Sequence, residues 1–408
     1  MDALQELRTR MTEKRSQMIE LQRDLTAVPA LGPQNGGTGE WEKAAVLEKW
    51  LARLGLGPCA SYPAPDSRVP RGSRPNLVIT LPGRRSDSAF WIMSHLDIVP
   101  PGEPSLWESD PYTLVVKGDR LIGRGVEDNQ QGLVSSVFAA VCLKEAGLTP
   151  ERTVRLLFVS DEETGSEKGV QYLAADTDLF GKNDIALVPD GGSADGTEME
   201  IAEKSILWLK FRVRGRQCHA STPQKGINAF EAGSHLVTRL GVLREQFAAL
   251  DGLFDPPVST FTPTKKEANV PNVNTLPGED VFYLDCRVLP RENLDEVMKA
   301  IRAICDQIQG EFGVGVTIHE VQRASSPPTP ADAPVISSLR KAIKAVYGVE
   351  GRIVGIGGGT VGAFLRTRGI PTVVWGRIAE TAHQPNEYCL MDNLAGDSLV
   401  MALMMLSA

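Results

Sequence analysis

The sequence is poor in the residues that build the commoner zinc and disulfide frameworks. It has six cysteines in 408 residues, at positions 59, 142, 218, 286, 305 and 389, and no Cys-x-x-Cys pair. That spacing excludes a zinc ribbon and a dense disulfide scaffold, so reduced thiols in a cytoplasmic protein are expected. A basic excess is also missing. The 43 Lys and Arg stand against 51 Asp and Glu, a net charge of −8, and no dense basic block offsets it, so nucleic acid is not an expected partner. No apolar run is long enough to cross a bilayer, and no membrane partner is expected. The opening "MDALQELRTRMTEKRSQMIELQRDL" is charged and has no uninterrupted apolar segment. It reads as an amphipathic surface helix, not a signal peptide.

What is present is ordinary globular material, 42% apolar and 23% charged, in a length that suits two or three domains. Short, nearly continuous apolar runs mark the first half: "NLVITL" (76–81), "AFWIMS" (89–94), "TVRLLFVS" (153–160) and "DIALVP" (184–189). A helical stretch, "LVSSVFAAVCLKEAG" (133–147), lies among them. Buried strands alternating with helices predict an α/β fold with a mostly parallel sheet. From 205 the pattern changes to strand "SILWLKFRVRG", helix 228–247, strands 258–265 and 281–289, helix 294–312 and strand 315–322. This β-α-β-β-α-β order is ferredoxin-like. After a proline-rich stretch at 325–334 the α/β style returns. The expected division is therefore 1–204 with 320–408 as one discontinuous domain, and 205–319 as an inserted one.

Chemistry collects at the strand ends. "AFWIMS" leads into His95 and Asp97, "TVRLLFVS" into Asp161, Glu162 and Glu163, and "DIALVP" into Asp190. "PTVVWG" precedes Glu380 and His383. Ligands of open α/β sheets bind outside the carboxyl ends of strands, and four such ends carrying His, Asp and Glu are hard to dismiss as polar loops. The loop "GRGVEDNQQG" (123–132) adds Asp128 just before a helix, where it reads equally as a helix cap. Two imidazoles and several carboxylates suit zinc, with cobalt or manganese as alternatives. Two histidines are too few for a His-rich mononuclear site, whereas one per metal with a bridging carboxylate suits a two-metal hydrolase. In the adjacent pair Glu162–Glu163 one carboxylate can bind metal while the other stays free as a base.

As a set these motifs resemble the M20 metallopeptidases, over most of the chain from "GEWEKAAVLEKWL" to "HQPNEY". The resemblance implies His95 and Asp190 on one metal, Glu163 and His383 on the other, and Asp128 bridging them. It makes Glu162 the general base and Asp97 the group that orients His95, and it implies a cis peptide at Asp128–Asn129. "GRQCHASTPQKGINA" (215–229) is similar to the family's lid segment, in which His219 reaches across a homodimer formed through the lid. "PNVNTLPG", "LDCRVLP" and "GGGT" place Asn274, Arg287 and Gly359 among the substrate-binding positions. The expected substrate is an N-acyl amino acid, cleaved by a deacetylase or desuccinylase reaction. Dipeptidase or carboxypeptidase action on a short peptide is the alternative, and a metal-free, non-catalytic relative ranks lower because every ligand and Glu162 are present.

Two departures affect substrate detail. Gln130, Gln131 and a single Gly132 stand where many members have a lysine and two glycines, and Val361 replaces an aspartate after "GGT". Arg287 also reads as a plain sheet partner of Asp285. His235 and His319 are expected to be structural. "GGGTVG" (357–362) formally fits a dinucleotide-binding glycine loop, but too little chain follows it for the required βαβ units.

Overall fold

A computed structural model describes residues 3–408. The chain divides into two compact units. One comprises the residues up to Ile201 with Thr329–Val354 and Thr360–Ala408, and the other comprises Ala202–Pro328 with Gly355–Gly359.

The first unit is built on an eight-stranded sheet. Its order is Ala60–Ser61, Leu77–Leu81, Arg152–Val159, Arg85–His95, Ile185–Val188, Thr372–Val374, Glu198–Glu203 and Arg352–Ile356. The four central strands, from Arg152–Val159 to Thr372–Val374, are mutually parallel. The flanking ladders of Leu77–Leu81 and Glu198–Glu203 are antiparallel. The four strands whose ends carry His95, Glu162, Asp190 and the approach to His383 are thus this parallel block. That is why their polar ends share one edge.

Strand composition follows from cover on both faces. Trp91 and Met93 pack with Leu157, Val159, Leu173 and Leu365 in one buried cluster. On helix Gln130–Glu145, residues 130 to 143 are all buried, which accounts for its lack of a polar side. It packs against Arg85–His95, against helix Ala3–Thr26 and against helix Met391–Ser407. Helix Ala3–Thr26 is therefore more than a surface helix: Leu7, Met11, Met18, Leu21 and Leu25 are buried at helical spacing. The first two residues of that predicted helix lie outside the described residues. No helix among the described residues is long and apolar enough to cross a membrane, and the six cysteines are unpaired.

The second unit is a four-stranded antiparallel sheet ordered Thr260–Lys266, Glu279–Val288, Ser205–Arg214 and Gly315–Ala324. Helices Ala229–Leu240 and Leu294–Phe312 connect the strands as a β-α-β-β-α-β unit. Asn228 and Asn293 begin the two helices, their side chains accepting first-turn N–H groups. Alternate residues Leu207, Leu209, Phe211 and Val213 face Leu236, Leu240, Ile301 and Ile308 in one core. His235 lies beside Phe312 with ring centroids 4.8 Å apart. The glycine-rich Gly355–Gly359 belongs here because Gly355 N donates to Leu253 O and Ile356 O accepts from Lys204 N.

Candidate metal centre

His95 is the last residue of its strand and is fully buried. Its Nδ1 lies 3.0 Å from the backbone carbonyl of Asp97, an acceptor, so in the neutral ring Nδ1 carries the proton. The Nε2 lone pair then faces Asp128 Oδ1 at 2.9 Å and Asp190 Oδ1 at 3.5 Å. A lone pair aimed at two carboxylate oxygens is repulsive unless a proton or a cation lies between them. On the other side, His383 Nε2 is 3.0 Å from Asp128 Oδ2 and 3.2 Å from Glu163 Oε2. Asp128 therefore turns one oxygen to each imidazole. The donor atoms of His95, Glu162 and Asp190 all lie within 4.8 Å of one another, as do those of His95, Asp128 and Glu163. Two imidazoles and four carboxylates in this arrangement fit divalent cations with nitrogen and oxygen ligands.

The charges strain without a cation. Burial, then Asp190, push the Glu162 carboxyl well above its ordinary range. Burial raises Glu163 against its hydrogen bond from His383, and burial raises Asp97 to about 7. Burial also opposes ionisation of Asp128, but His383 and His95 outweigh it and hold that carboxyl low. Hydrogen bonds to Asp128 and Glu163 raise His383 to about 10. For His95, burial works downward, yet Asp190 and Asp128 raise it well above the usual imidazole value. A bound cation would supply the positive charge that protons supply here.

The backbone is held by groups that sequence reasoning passed over. Asp97 meets His95 Nδ1 with its backbone carbonyl at 3.0 Å and its carboxylate at 3.6 Å. Its two carboxylate oxygens also accept Glu162 N at 3.1 Å and Glu163 N at 3.0 Å. Those two residues form a short turn entered through Asp161 at φ 66°, a strained setting that buried contacts must enforce. Asp161 is held by Arg74, which also pairs with Glu40 in a fully buried group. Buried Glu387 accepts Gly125 N, Glu127 N and Asp128 N at 2.9–3.1 Å and pairs with Arg124 at 2.7 Å. Glu127 in turn accepts Ala379 N, Thr381 N and Thr381 Oγ1, fixing the chain that leads to His383. Asn129 donates to Pro189 O and to Asp190 Oδ1, and its Oδ1 accepts His95 N. The Asp128–Asn129 peptide is cis, as the resemblance implied. The available signal was adjacency: Glu127 and Asn129 flank Asp128, and Glu387 closes the His383 motif.

Both departures have structural uses. Gln131 donates to Arg377 O and to Asp397 Oδ2, each at 2.9 Å, and Gln130 accepts from Thr26. Val361 is buried in the apolar cluster with Leu365 and Val374.

The remaining predicted residues lie in the second unit. His219 and Asn274 are neighbours there: Cys218–His219 pairs with Thr275–Leu276, and Ala220 N donates to Asn274 O. His219 is exposed, and its Nδ1 accepts Ser221 N at 3.1 Å. The neutral ring therefore carries its proton on Nε2, which is left as a donor. Arg287 is paired with Asp285, Nε to Oδ1 at 2.8 Å and Nη2 to Oδ2 at 3.2 Å, and its Nη1 donates to Gly357 O. Gly359 is exposed, and a Cβ on it would meet Ile206 at 3.4 Å.

A histidine–carboxylate cluster at the carboxyl edge of a parallel sheet, in a chain that also carries a β-α-β-β-α-β unit, is the arrangement of a metallohydrolase. Residues 91–407 match the model of Peptidase family M20/M25/M40. An uncharacterized metallohydrolase of Methanocaldococcus jannaschii is 38% identical over 92% of this chain and 95% of its own length. A succinyl-diaminopimelate desuccinylase of Cereibacter sphaeroides is 25% identical over 90% and 93%. Among solved structures, the aminopeptidase PepT of Bacillus cereus has a TM-score of 0.76 at 20% identity, covering 96% of this chain and 98% of that one. Human carnosine dipeptidase 1 has a TM-score of 0.74 at 16% identity, covering 100% and 99%. The chain belongs to Peptidase family M20/M25/M40, metallohydrolases of amide or peptide bonds.

Proposed function

We propose that this protein is a two-zinc amidohydrolase that removes the acyl group of an N-acyl amino acid. The observation that carries the reading is Asp128, with one oxygen facing His95 and the other facing His383. On it, His95 and Asp190 would hold one ion, Glu163 and His383 would hold the second, and Asp128 would serve both. Cobalt or manganese satisfies the same donors. Bound there, divalent ions supply Lewis acidity and bring the pKa of a water toward ~7.

The protein's own residues do the rest. Glu162, held by its N–H on Asp97, takes the proton of the attacking water and passes it to the leaving amine. His219 offers an Nε2–H donor for the developing oxyanion, supplied from the second copy of a homodimer formed through the second unit. Arg287 and Asn274 receive the substrate carboxylate, and the loop at Gly359 lies along the substrate. Asp285 and Gly357 engage three of the five guanidinium N–H groups, which leaves two for a carboxylate.

The desuccinylases among the relatives support an acyl substrate over a peptide. The test is a panel of N-succinyl and N-acetyl amino acids, dipeptides and acyl-glutamates, assayed with zinc or cobalt. An N-acyl amino acid with a free carboxylate should turn over fastest, and Arg287→Ala should lose most of that activity. A best substrate lacking a free carboxylate would refute the clamp, and a best substrate that is a dipeptide would refute the deacylase reading.

A further inference from the structure

The two imidazoles of the metal centre are supported differently. His95 closes a strand of the central sheet, and its ring is bonded to the carbonyl of Asp97. His383 stands in the connection 375–387, between strands Thr372–Val374 and Tyr388–Leu390. In that connection Glu380, His383 and Asn386 adopt φ of 60°, 64° and 58°. Non-glycine residues in the left-handed region persist only where the surroundings enforce them. One side of His383 is tied down by Glu127, which is 5% exposed. Its carboxylate accepts Ala379 N on one oxygen, and Thr381 N at 2.5 Å and Thr381 Oγ1 at 2.9 Å on the other. The other side is tied at Glu387, whose carbonyl accepts Gly123 N at 3.0 Å. The strand that follows, Tyr388–Leu390, pairs with Arg120–Ile122.

The two carboxylates hold each other's loops. Glu387 accepts the amides of residues 125, 127 and 128, and Glu127 accepts those of 379 and 381. What each one positions differs. Glu387 holds the amide of Asp128 itself, whose two oxygens face His95 and His383. Among the described residues, every side-chain bond of Glu127 goes to the segment that leads to His383. We propose that Glu127 is a positioning residue for the second cation site alone. Standing next to Asp128 in the chain, it fixes the segment that brings His383 Nε2 to 3.0 Å from Asp128 Oδ2. This rests on the two-site reading of the metal centre, but its effect on the backbone is measurable without metal.

Glu127→Gln keeps the size and one acceptor oxygen, and turns an NH2 toward amides that the other oxygen received. In chelator, hydrogen exchange should quicken about 10-fold in peptides covering 379–383, with the central strands unchanged. Zinc titration then compares two backgrounds. In His95→Ala, where the second site remains, Glu127→Gln should weaken binding by about 10-fold or more, a loss of about 1.4 kcal/mol. In His383→Ala, where the first site remains, affinity should stay within about 2-fold. Glu387→Gln should weaken binding in both backgrounds, and a merely structural role for Glu127 would do the same. Thr381→Val removes one of the three donors and should repeat the pattern of Glu127→Gln at smaller size. Unchanged exchange at 379–383, or equal weakening in both backgrounds, would overturn the proposal while leaving the metal centre standing. A wild-type chain that holds a single zinc at saturation would overturn both. Faster exchange throughout the central strands in both Glu127→Gln and Thr381→Val, or failure of both to fold, would make the contact a requirement of the whole fold and overturn its local role.

Discussion

Replacing Asp97 by Asn separates two roles for that residue. The carboxylate is 2% exposed and accepts Glu162 N on one oxygen and Glu163 N on the other. An asparagine keeps one acceptor oxygen and turns an NH2 toward the second N–H. One buried amide of the turn is left without an acceptor, at a cost of about 1–3 kcal/mol. Expressed wholly in the placement of Glu162, that is about a 5- to 150-fold loss of kcat. The imidazole of His95 should stay in place, because its Nδ1 bonds the residue's backbone carbonyl, which the substitution retains. The assay is kcat together with metal content per chain on Asp97→Asn, with Asp97→Ala beside it. Two ions retained with kcat down by at least about 5-fold agrees with the reasoning. Loss of one ion at an unchanged rate per loaded chain would refute it and make the carboxylate the orienter of His95.

Three further outcomes follow from the site. Glu162→Gln should lower turnover by about 10²- to 10⁴-fold while both ions remain bound, and near-normal activity would remove Glu162 as the base. The metal-free protein should lose stability as pH rises from about 4 to 7. Asp97 and Glu387 have folded values raised to about 7, so the folded chain holds protons that the unfolded chain has released. His383, raised to about 10, extends the loss above pH 7, and a Tm that rose between pH 5 and 8 in chelator would contradict the sign. Mixing inactive His219→Ala chains with inactive Glu162→Gln chains should restore part of the activity in mixed dimers. Failure to do so, with subunit exchange verified, would count against a site shared between copies.

What could be read from the sequence was set by range. The four apolar runs that end in His, Asp and Glu became strands because both faces of the sheet are covered, and their shared parallel direction gathers their ends at one edge. The strand–helix alternation of 205–324 was equally legible, because each element of that unit carries one apolar face. Contacts made across hundreds of residues were not. Nothing local in "PNEY" indicates that Glu387 will accept three amides near Asp128, more than 250 residues earlier. Nor does "GEWEKAAV" indicate that Lys43 faces inward, since a lysine at that spacing ordinarily lies in solvent. Asp97 is legible as part of the site beside His95, but its two bonds to the amides of Glu162 and Glu163 cross more than 60 residues and leave no local pattern. The association of Gly355–Gly359 with the second unit rests on bonds to Leu253, Lys204 and Arg287 that no local pattern announces.

The central claim is that Asp128 joins two cation sites, one on His95 and one on His383. Its most direct test is the number of zinc or cobalt ions held per chain by wild type, His95→Ala, His383→Ala and Asp128→Asn. The arrangement predicts two ions in the wild type, no more than one in either histidine variant, and weakened binding of both in Asp128→Asn. A wild-type chain that holds a single ion at saturation, or a His383→Ala chain that still holds two, would contradict it.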